Sequence, residues 1–362
     1  MYTEIVKIIE GGMNQDPKKV RSYAQLLAKK FNTDGNEKLA VKIKDVLKSK
    51  TGAPVYKDAL FTAPVDKETR LNIADIKMPE EGRVNAKYSD VVQNSVKEFI
   101  DTVEARDKLK EMGFEVHSSL LLYGPPGCGK TTLAHYIAEQ LDLPLIVARF
   151  DSLISSLLGN TSKNIRKLFE YANSRPCILF LDEFDAIGKA RDDSQELGEL
   201  KRVINSLLQN IDEFTENNIL IAATNHEKLL DKAIWRRFEK IIEIQKPNKE
   251  ELSGLLDVLT HGMITDFMKD QKKVSILSEE LKDLSHSEIK KIIRSAASKA
   301  VINKEDKIGF DSILFEIFTY KNHYKYTIEE AIKYLNEHSV PQNSIKEIFN
   351  ISLRQVRNVL IQ

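Results

Sequence analysis

Lys130, Thr131, Asp182 and Glu183 are side chains whose types and settings invite chemistry. Lys130 and Thr131 close the stretch LYGPPGCGKTT, residues 122–132. From Gly124 it reads G-x-x-x-x-G-K-T, after an apolar run and before a helical pattern, which is the context such a motif needs. Glycines let backbone N–H groups turn inward around phosphate oxygens, and the following helix adds its positive N-terminal end. The residues expected to hold the phosphates of ATP are Pro126, Gly127, Cys128, Gly129, Lys130, Thr131 and Thr132. Lys130 is placed to reach the β- and γ-phosphates and Thr131 to hold Mg2+ through its hydroxyl. Pro125 and Pro126 stiffen the loop. Cys128 reads first as a small residue fitting a tight loop, and second as an oxidation-sensitive switch.

ILFLDEFDAIG supplies the carboxylates that such a loop needs. The apolar run Ile178–Leu181 suits a central strand, and Asp182 at its end can hold Mg2+ directly or through water. Glu183 can polarise the attacking water. Asp185 reads equally as structural or catalytic. Asn225, ending IAATN, can orient that water or sense the γ-phosphate. In LDKAIWRRFEKIIEI, Arg236 and Arg237 precede the last apolar run and can stabilise transition-state charge in a neighbouring subunit. No H-E-x-x-H and no G-x-S-x-G occurs, so the chain carries no protease motif of those kinds.

The elements that must position these residues follow from pattern. Five short apolar runs, 119–123, 143–148, 177–182, 219–224 and 240–244, alternate mostly with helical patterns. That alternation predicts a five-stranded parallel sheet with helices on both faces. The predicted divisions are an N-terminal helical domain 1–50, a linker 51–85, an α/β subdomain 86–248, a helical lid 249–318 and a C-terminal helical extension 319–362. Residues 1–50 hold 11 Lys+Arg against 6 Asp+Glu, which reads as a solvated face or as a docking surface for an acidic partner. The whole chain of 362 residues balances 54 basic against 54 acidic residues, which removes any global argument for nucleic acid or an anionic membrane. Two scattered cysteines, a poor signal-peptide start and no long apolar run point to a cytoplasmic protein without a membrane span.

With these motifs in this order, the chain resembles the AAA ATPase family. GPPGCGKT resembles its Walker A motif, LFLDEFD its Walker B, AATN its first sensor and LDKAIWRRF its arginine-finger end, in a form similar to a bacterial branch. The resemblance covers about residues 86–300. It implies a P-loop NTPase core with a small helical lid, and usually a hexameric ring with nucleotide at subunit interfaces. It also implies that YSDVV, residues 88–92, lies where the adenine pocket forms, which brings in Asp90 and Val91. The usual Pro-Gly between two finger arginines is missing, so Arg236, Arg237 or both can serve. The pore-loop position holds Leu157, Leu158 and Gly159 where protein-threading members place an aromatic. His286 takes a glycine position in the lid, where it approaches the nucleotide or faces solvent.

SIKEIFNISLRQVRNVL resembles a helix-turn-helix, with Asn350 at the turn and Ser352 as an N-cap. Residues 327–362 hold four basic and four acidic residues, a balance that favours a cap on the lid or a partner-docking module over a DNA binder. The expected function is an ATP-hydrolysing, ring-forming motor that remodels protein clients, with a partner protease as a further possibility. The alternative is a DNA-associated ATPase that uses the tail.

Overall fold

The computed structural model describes residues 3–13, 20, 23–24, 27–28, 30–31, 36–48, 73–79, 87–150, 158–173, 176–186, 197–215 and 218–361. The chain divides into two compact units, residues 1–63 and 64–362. The first contains α1 (Thr3–Met13) and α2 (Glu37–Lys48), with Leu27, Ala28 and Ala40 buried.

The second unit starts with β1 (Asp75–Lys77), α3 (Asp90–Glu104), α4 (Arg106–Glu111), β2 (Ser119–Tyr123), α5 (Lys130–Gln140) and β3 (Leu145–Arg149). It continues through α6 (Leu158–Asn173), β4 (Ile178–Asp182), α7 (Leu197–Thr215), β5 (Ile219–Thr224), α8 (Lys232–Trp235) and β6 (Lys240–Glu243). The strands lie in the order β1-β3-β4-β5-β2-β6. The pairings from β3 through β6 are parallel, while β1 pairs antiparallel with β3 at the edge. Register places Leu121 between Ala222 of β5 and Ile241 of β6.

Successive strand residues point to opposite faces, and both faces here are apolar, as a covered parallel sheet requires. Leu121, Leu179, Leu181 and Leu220 pack with Ile165, Leu168 and Phe169 of α6 and Leu207, Ile211 and Phe214 of α7. Leu120, Leu122, Phe180 and Ile221 pack with Val96 and Phe99 of α3 and Leu133 and Ile137 of α5.

The sheet has six strands rather than the five expected. The extra strand, β1, lies in the stretch read as linker, and Ile73 and Ala74 beside it are buried in the α6–α7 side of the core. Three residues are too short to display an alternating pattern, so burial against the sheet, not local sequence, makes this strand.

The helical remainder comprises α9 (Lys249–Leu259), α10 (Gln271–Leu281), α11 (His286–Ile302), α12 (Phe310–Lys321), α13 (Ile328–Glu337), α14 (Gln342–Phe349) and α15 (Leu353–Ile361). One apolar cluster runs from Leu252 in α9 through Ile289 and Ile317 to Leu335, Ile345 and Val356 in the last three helices. The tail is therefore continuous with the lid, and α12 crosses the boundary expected at 318/319. Among the described residues, no helix is long and apolar enough to cross a membrane.

Candidate active site

The candidate residues gather where the parallel strands end. Arg149 of β3 lies opposite Asp182 of β4, and Tyr123 of β2 lies opposite Thr224 of β5. In open α/β sheets, ligands occupy the crevice beyond these carboxyl ends.

From Tyr123 the chain turns through residues 124–129 into α5. Gly124 sits at φ 136°, and a Cβ there would lie 2.1 Å from the Ile244 carbonyl oxygen, so this position accepts only glycine. Lys130 opens α5 and is 7% exposed. Its ammonium donates to the carbonyl oxygens of Gly124 at 2.7 Å and Pro125 at 2.8 Å. Burial lowers its pKa from the ordinary lysine range. Both hydrogen bonds go to the loop's own backbone, so the charge is held against the turn. Thr131 and Thr132 follow on the exposed first turn of α5.

The Thr131 hydroxyl donates to Asp182 Oδ2 at 3.0 Å. A hydroxyl and a carboxylate oxygen brought together from a helix start and a strand end are hard oxygen donors of the kind Mg2+ takes. The other Asp182 oxygen accepts from the Glu183 N–H at 3.0 Å. Glu183 itself has φ 55°, a left-handed conformation uncommon for a residue with a long side chain. That turn aims its carboxylate away from the strand and towards Arg149, whose Nη2 lies 3.6 Å from Glu183 Oε1. Asp185 is buried and accepts from the Thr224 hydroxyl at 3.2 Å and from the Asn225 N–H at 3.4 Å. It therefore ties the end of β5 to the end of β4 and fixes where Asn225 emerges.

The lid reaches the same loop. Ser285 caps α11, with Glu288 closing a capping box. The Ser287 N–H donates to the Gly127 carbonyl at 3.0 Å. A Cβ on Gly127, which has φ 76°, would fall 2.2 Å from Ser287 Oγ and 2.8 Å from Ser285 Oγ. Two helix N-termini, of α5 and α11, thus converge on one turn, and both favour negative charge there.

Tyr88 closes another side. Its hydroxyl donates to the Gly129 carbonyl at 2.8 Å, and burial raises its pKa. His286 is half-buried rather than facing solvent. Its ring lies 5.9 Å from that of Tyr88, its Nε2 is 3.3 Å from the Lys87 carbonyl oxygen, and burial lowers its pKa. Asp90 and Val91 are exposed on the first turn of α3, and Tyr88 of that stretch touches the glycine-rich loop.

Cys128 is fully buried, and burial raises its thiol pKa, which works against the thiolate an oxidation switch needs. Leu157 falls outside the described residues.

Arg236 and Arg237 stand apart from this group. The Arg237 guanidinium forks onto Asp212, Nε to Oδ1 at 3.2 Å and Nη2 to Oδ2 at 3.5 Å, and Nη1 donates to the Ala233 carbonyl at 3.1 Å. Arg236 is exposed, and with His117, Asp212, Arg237 and Glu239 it lines a surface cavity of about 200 Å3. The Arg237 carbonyl accepts from Ser119 Oγ at 3.0 Å, at the first residue of β2. The glycine-rich loop lies at the opposite end of that strand, roughly 13 Å away at about 3.3 Å per residue. The pair is thus not gathered with Asp182 and Glu183 of its own chain.

Asp182, Glu183, Lys130 and Thr131 could be found by spacing alone. Arg149, Ser285 and Ser287 could not, because Arg149 meets Glu183 and the two serines meet the loop only through the fold, whereas Tyr88 lay in the stretch 88–92 that the resemblance marked. The one signal for Ser285 and Ser287 is the capping pattern S-H-S-E at the start of a helix.

The model of the AAA family, ATPases associated with various cellular activities, matches residues 120–246. A stretch of 218 residues is 40% identical to an uncharacterized AAA family ATPase of Sinorhizobium fredii, covering 60% of this chain and 63% of that protein. A putative 26S proteasome regulatory subunit homolog of Methanocaldococcus jannaschii is 32% identical over 234 residues, 63% of this chain and 62% of its own length. Proteasome-activating nucleotidase 2 of Haloferax volcanii is 34% identical over 227 residues, 59% of this chain and 54% of its own length. The chain spans less than two thirds of each of these relatives.

Proposed function

Residues 120–246 are a domain of the AAA family, and on that premise we propose that the protein is an ATP-hydrolysing motor of a homo-oligomeric ring, expected to be a hexamer, that remodels protein clients. The observation that carries the proposal is the 3.0 Å hydrogen bond from Thr131 to Asp182, with Lys130 and Glu183 on either side of it. These residues fit Mg2+ with ATP. When bound there, the metal would neutralise phosphate charge.

In this reading the loop N–H groups at residues 126–132 hold the phosphates. Lys130 exchanges its carbonyl partners for phosphate oxygens, and the desolvation it already carries strengthens that contact. Glu183 accepts the proton of the attacking water. Asp185 sets the position of Asn225, which orients that water. Arg149 holds the Glu183 carboxylate by its charge until the site closes. The lid contact between Ser287 and Gly127 carries nucleotide state into the helical remainder of the molecule. Arg236 acts on the next subunit's nucleotide, and Arg237, clamped by Asp212, sets its direction.

Two of the similar proteins carry proteasome names, which supports a protein client and makes a partner protease the finer form of the proposal. The test is steady-state ATP hydrolysis by the full chain and by Lys130→Ala, with and without a permanently unfolded protein. Turnover that is lost in Lys130→Ala and stimulated by the unfolded protein is expected. Turnover insensitive to Lys130 would end the proposal for this site.

A further inference from the structure

We propose that the three C-terminal helices form a duplex-DNA docking module whose reading element is α15. Helices α13, α14 and α15 enclose Ala331, Ile332, Leu335, Val340, Ile345 and Val356, all at most 3% exposed. The turn from α14 to α15 is only Asn350, Ile351 and Ser352. Asn350 takes the left-handed conformation, φ 50° and ψ 46°, that ends α14 abruptly. Its N–H and that of Ile351 return to the Glu347 and Lys346 carbonyls. Ser352 Oγ accepts from the Gln355 N–H at 3.3 Å, and Gln355 Oε1 accepts from the Ser352 N–H at 2.9 Å. Two short helices joined by a tight, well-capped turn repeat the element order of a helix-turn-helix, the motif whose second helix enters the major groove.

The face that α15 leaves uncovered has the matching chemistry. Val356 points into the core, with Leu353, Val359 and Leu360 partly buried. Arg354, Gln355, Arg357 and Asn358 are exposed. Arginine forks onto guanine and Asn pairs with adenine at the base edges of that groove, while the Gln355 amide oxygen is engaged by Ser352. The helix holds two arginines and no carboxylate, although residues 327–362 as a whole are balanced. Arg357 uses one donor on Gln342, at 3.3 Å, and a guanidinium has five. No aromatic lies on α15, which argues against a stacking surface for single strands. The deep, narrow major groove of duplex RNA does not admit a helix.

Two cations neutralise few phosphates, so one copy binds weakly. Several copies in one assembly would bind more tightly through raised effective concentration. The module would thus hold an ATP-driven assembly near DNA without depending on turnover.

The test is fluorescence anisotropy of the full chain with a mixed-sequence duplex of about 25 base pairs, titrated with salt. Expected are binding at low salt and a loss of about tenfold or more in R354A/R357A. The log–log salt slope should fall by about 2. The double lysine variant should keep the salt-dependent part. Asn358→Ala should alter the ranking of sequences more than the salt slope. Absence of duplex affinity, or affinity unchanged in R354A/R357A, would overturn the proposal. So would arginine variants that change only the response to a protein client, which would make this face a protein-docking surface. None of these readouts uses ATP hydrolysis, so failure here and failure of the motor reading are separate results.

Discussion

Glu183 is the residue on which hydrolysis should turn. Its backbone is held at φ 55°, and its carboxylate faces Arg149 at 3.6 Å. Glu183→Gln keeps the size of the side chain and removes the basic oxygen. Turnover is expected to fall by about 10²-fold or more, while ATP binding, read with a fluorescent analogue, stays within a few-fold. Equal losses of binding and turnover would show that the residue shapes the pocket instead. Gly127 offers a second residue-scale prediction. An alanine there meets Ser287 Oγ at 2.2 Å in a positive-φ conformation. The N-terminus of α11 should then leave the loop, with faster hydrogen exchange at its first turn and weaker nucleotide binding. Unchanged exchange there would mean that the lid contact carries nothing. The glycine-rich loop and the Asp182–Glu183 pair stood out in the sequence because each is a run of consecutive residues, and the fold brings them together. Ser287 did not, since nothing local distinguishes a serine that touches a loop from one that does not. Adenine-pocket positions were read as Asp90 and Val91, which the fold leaves exposed, and the loop contact falls to Tyr88 beside them.

Elements behave similarly. Strands β2 through β6 were legible within one or two residues because continuous apolar runs bounded by polar turns admit few other readings. The unit formed by lid and tail was not, since helical patterns tell which face is apolar but not which helix covers it. Glu280 of α10 joins the two parts. Its carboxylate accepts from Lys321 Nζ at 2.7 Å and the Tyr334 hydroxyl at 2.8 Å, and His338 Nε2 lies 3.1 Å away. Burial pushes the Glu280 carboxyl up, but those hydrogen bonds and the nearby positive charge outweigh it and hold it below the usual range. A carboxyl lowered on folding contributes stability above its unfolded pKa, about 4.3, and loses it as pH falls through the folded value. Glu280→Gln should therefore flatten the acid limb of local stability, read by hydrogen exchange in α10 and α13. It should also cost about 1–3 kcal/mol near neutrality. An acid limb identical to wild type would remove Glu280 from that role. Leu335, fully buried in the shared cluster, tests continuity. Leu335→Ala should cost about 2–5 kcal/mol and loosen α12 as well as α13–α15. Loss confined to α13–α15 would mean that the tail folds as a separate module.

At the scale of the whole molecule, the distance between the arginine pair and the glycine-rich loop fits the proposed sharing of sites between subunits. Ser119 anchors Arg237 at the start of β2, and the loop begins where β2 ends. Side chains about 6–7 Å long cannot bridge a strand of that length within one chain. Asp212 engages Arg237 through both nitrogens of its fork, and such forks fix direction as well as position. Arg236 is then the charge that projects outward. Two predictions separate these roles. Turnover per chain should rise with protein concentration as subunits assemble, and Arg236→Ala should abolish that rise without changing nucleotide binding. Asp212→Asn should weaken turnover less, by a few-fold, as expected for a partly exposed ion pair worth about 0.2–1 kcal/mol that positions its neighbour. Mixing gives the sharper result. Arg236→Ala and Glu183→Gln subunits should each turn over slowly alone. In a mixed ring, some interfaces join an intact Glu183 from the first variant to an intact Arg236 from the second, and turnover should reappear there. Mixed rings that form, as measured by mass, yet stay inactive would place Arg236 outside the neighbour's site.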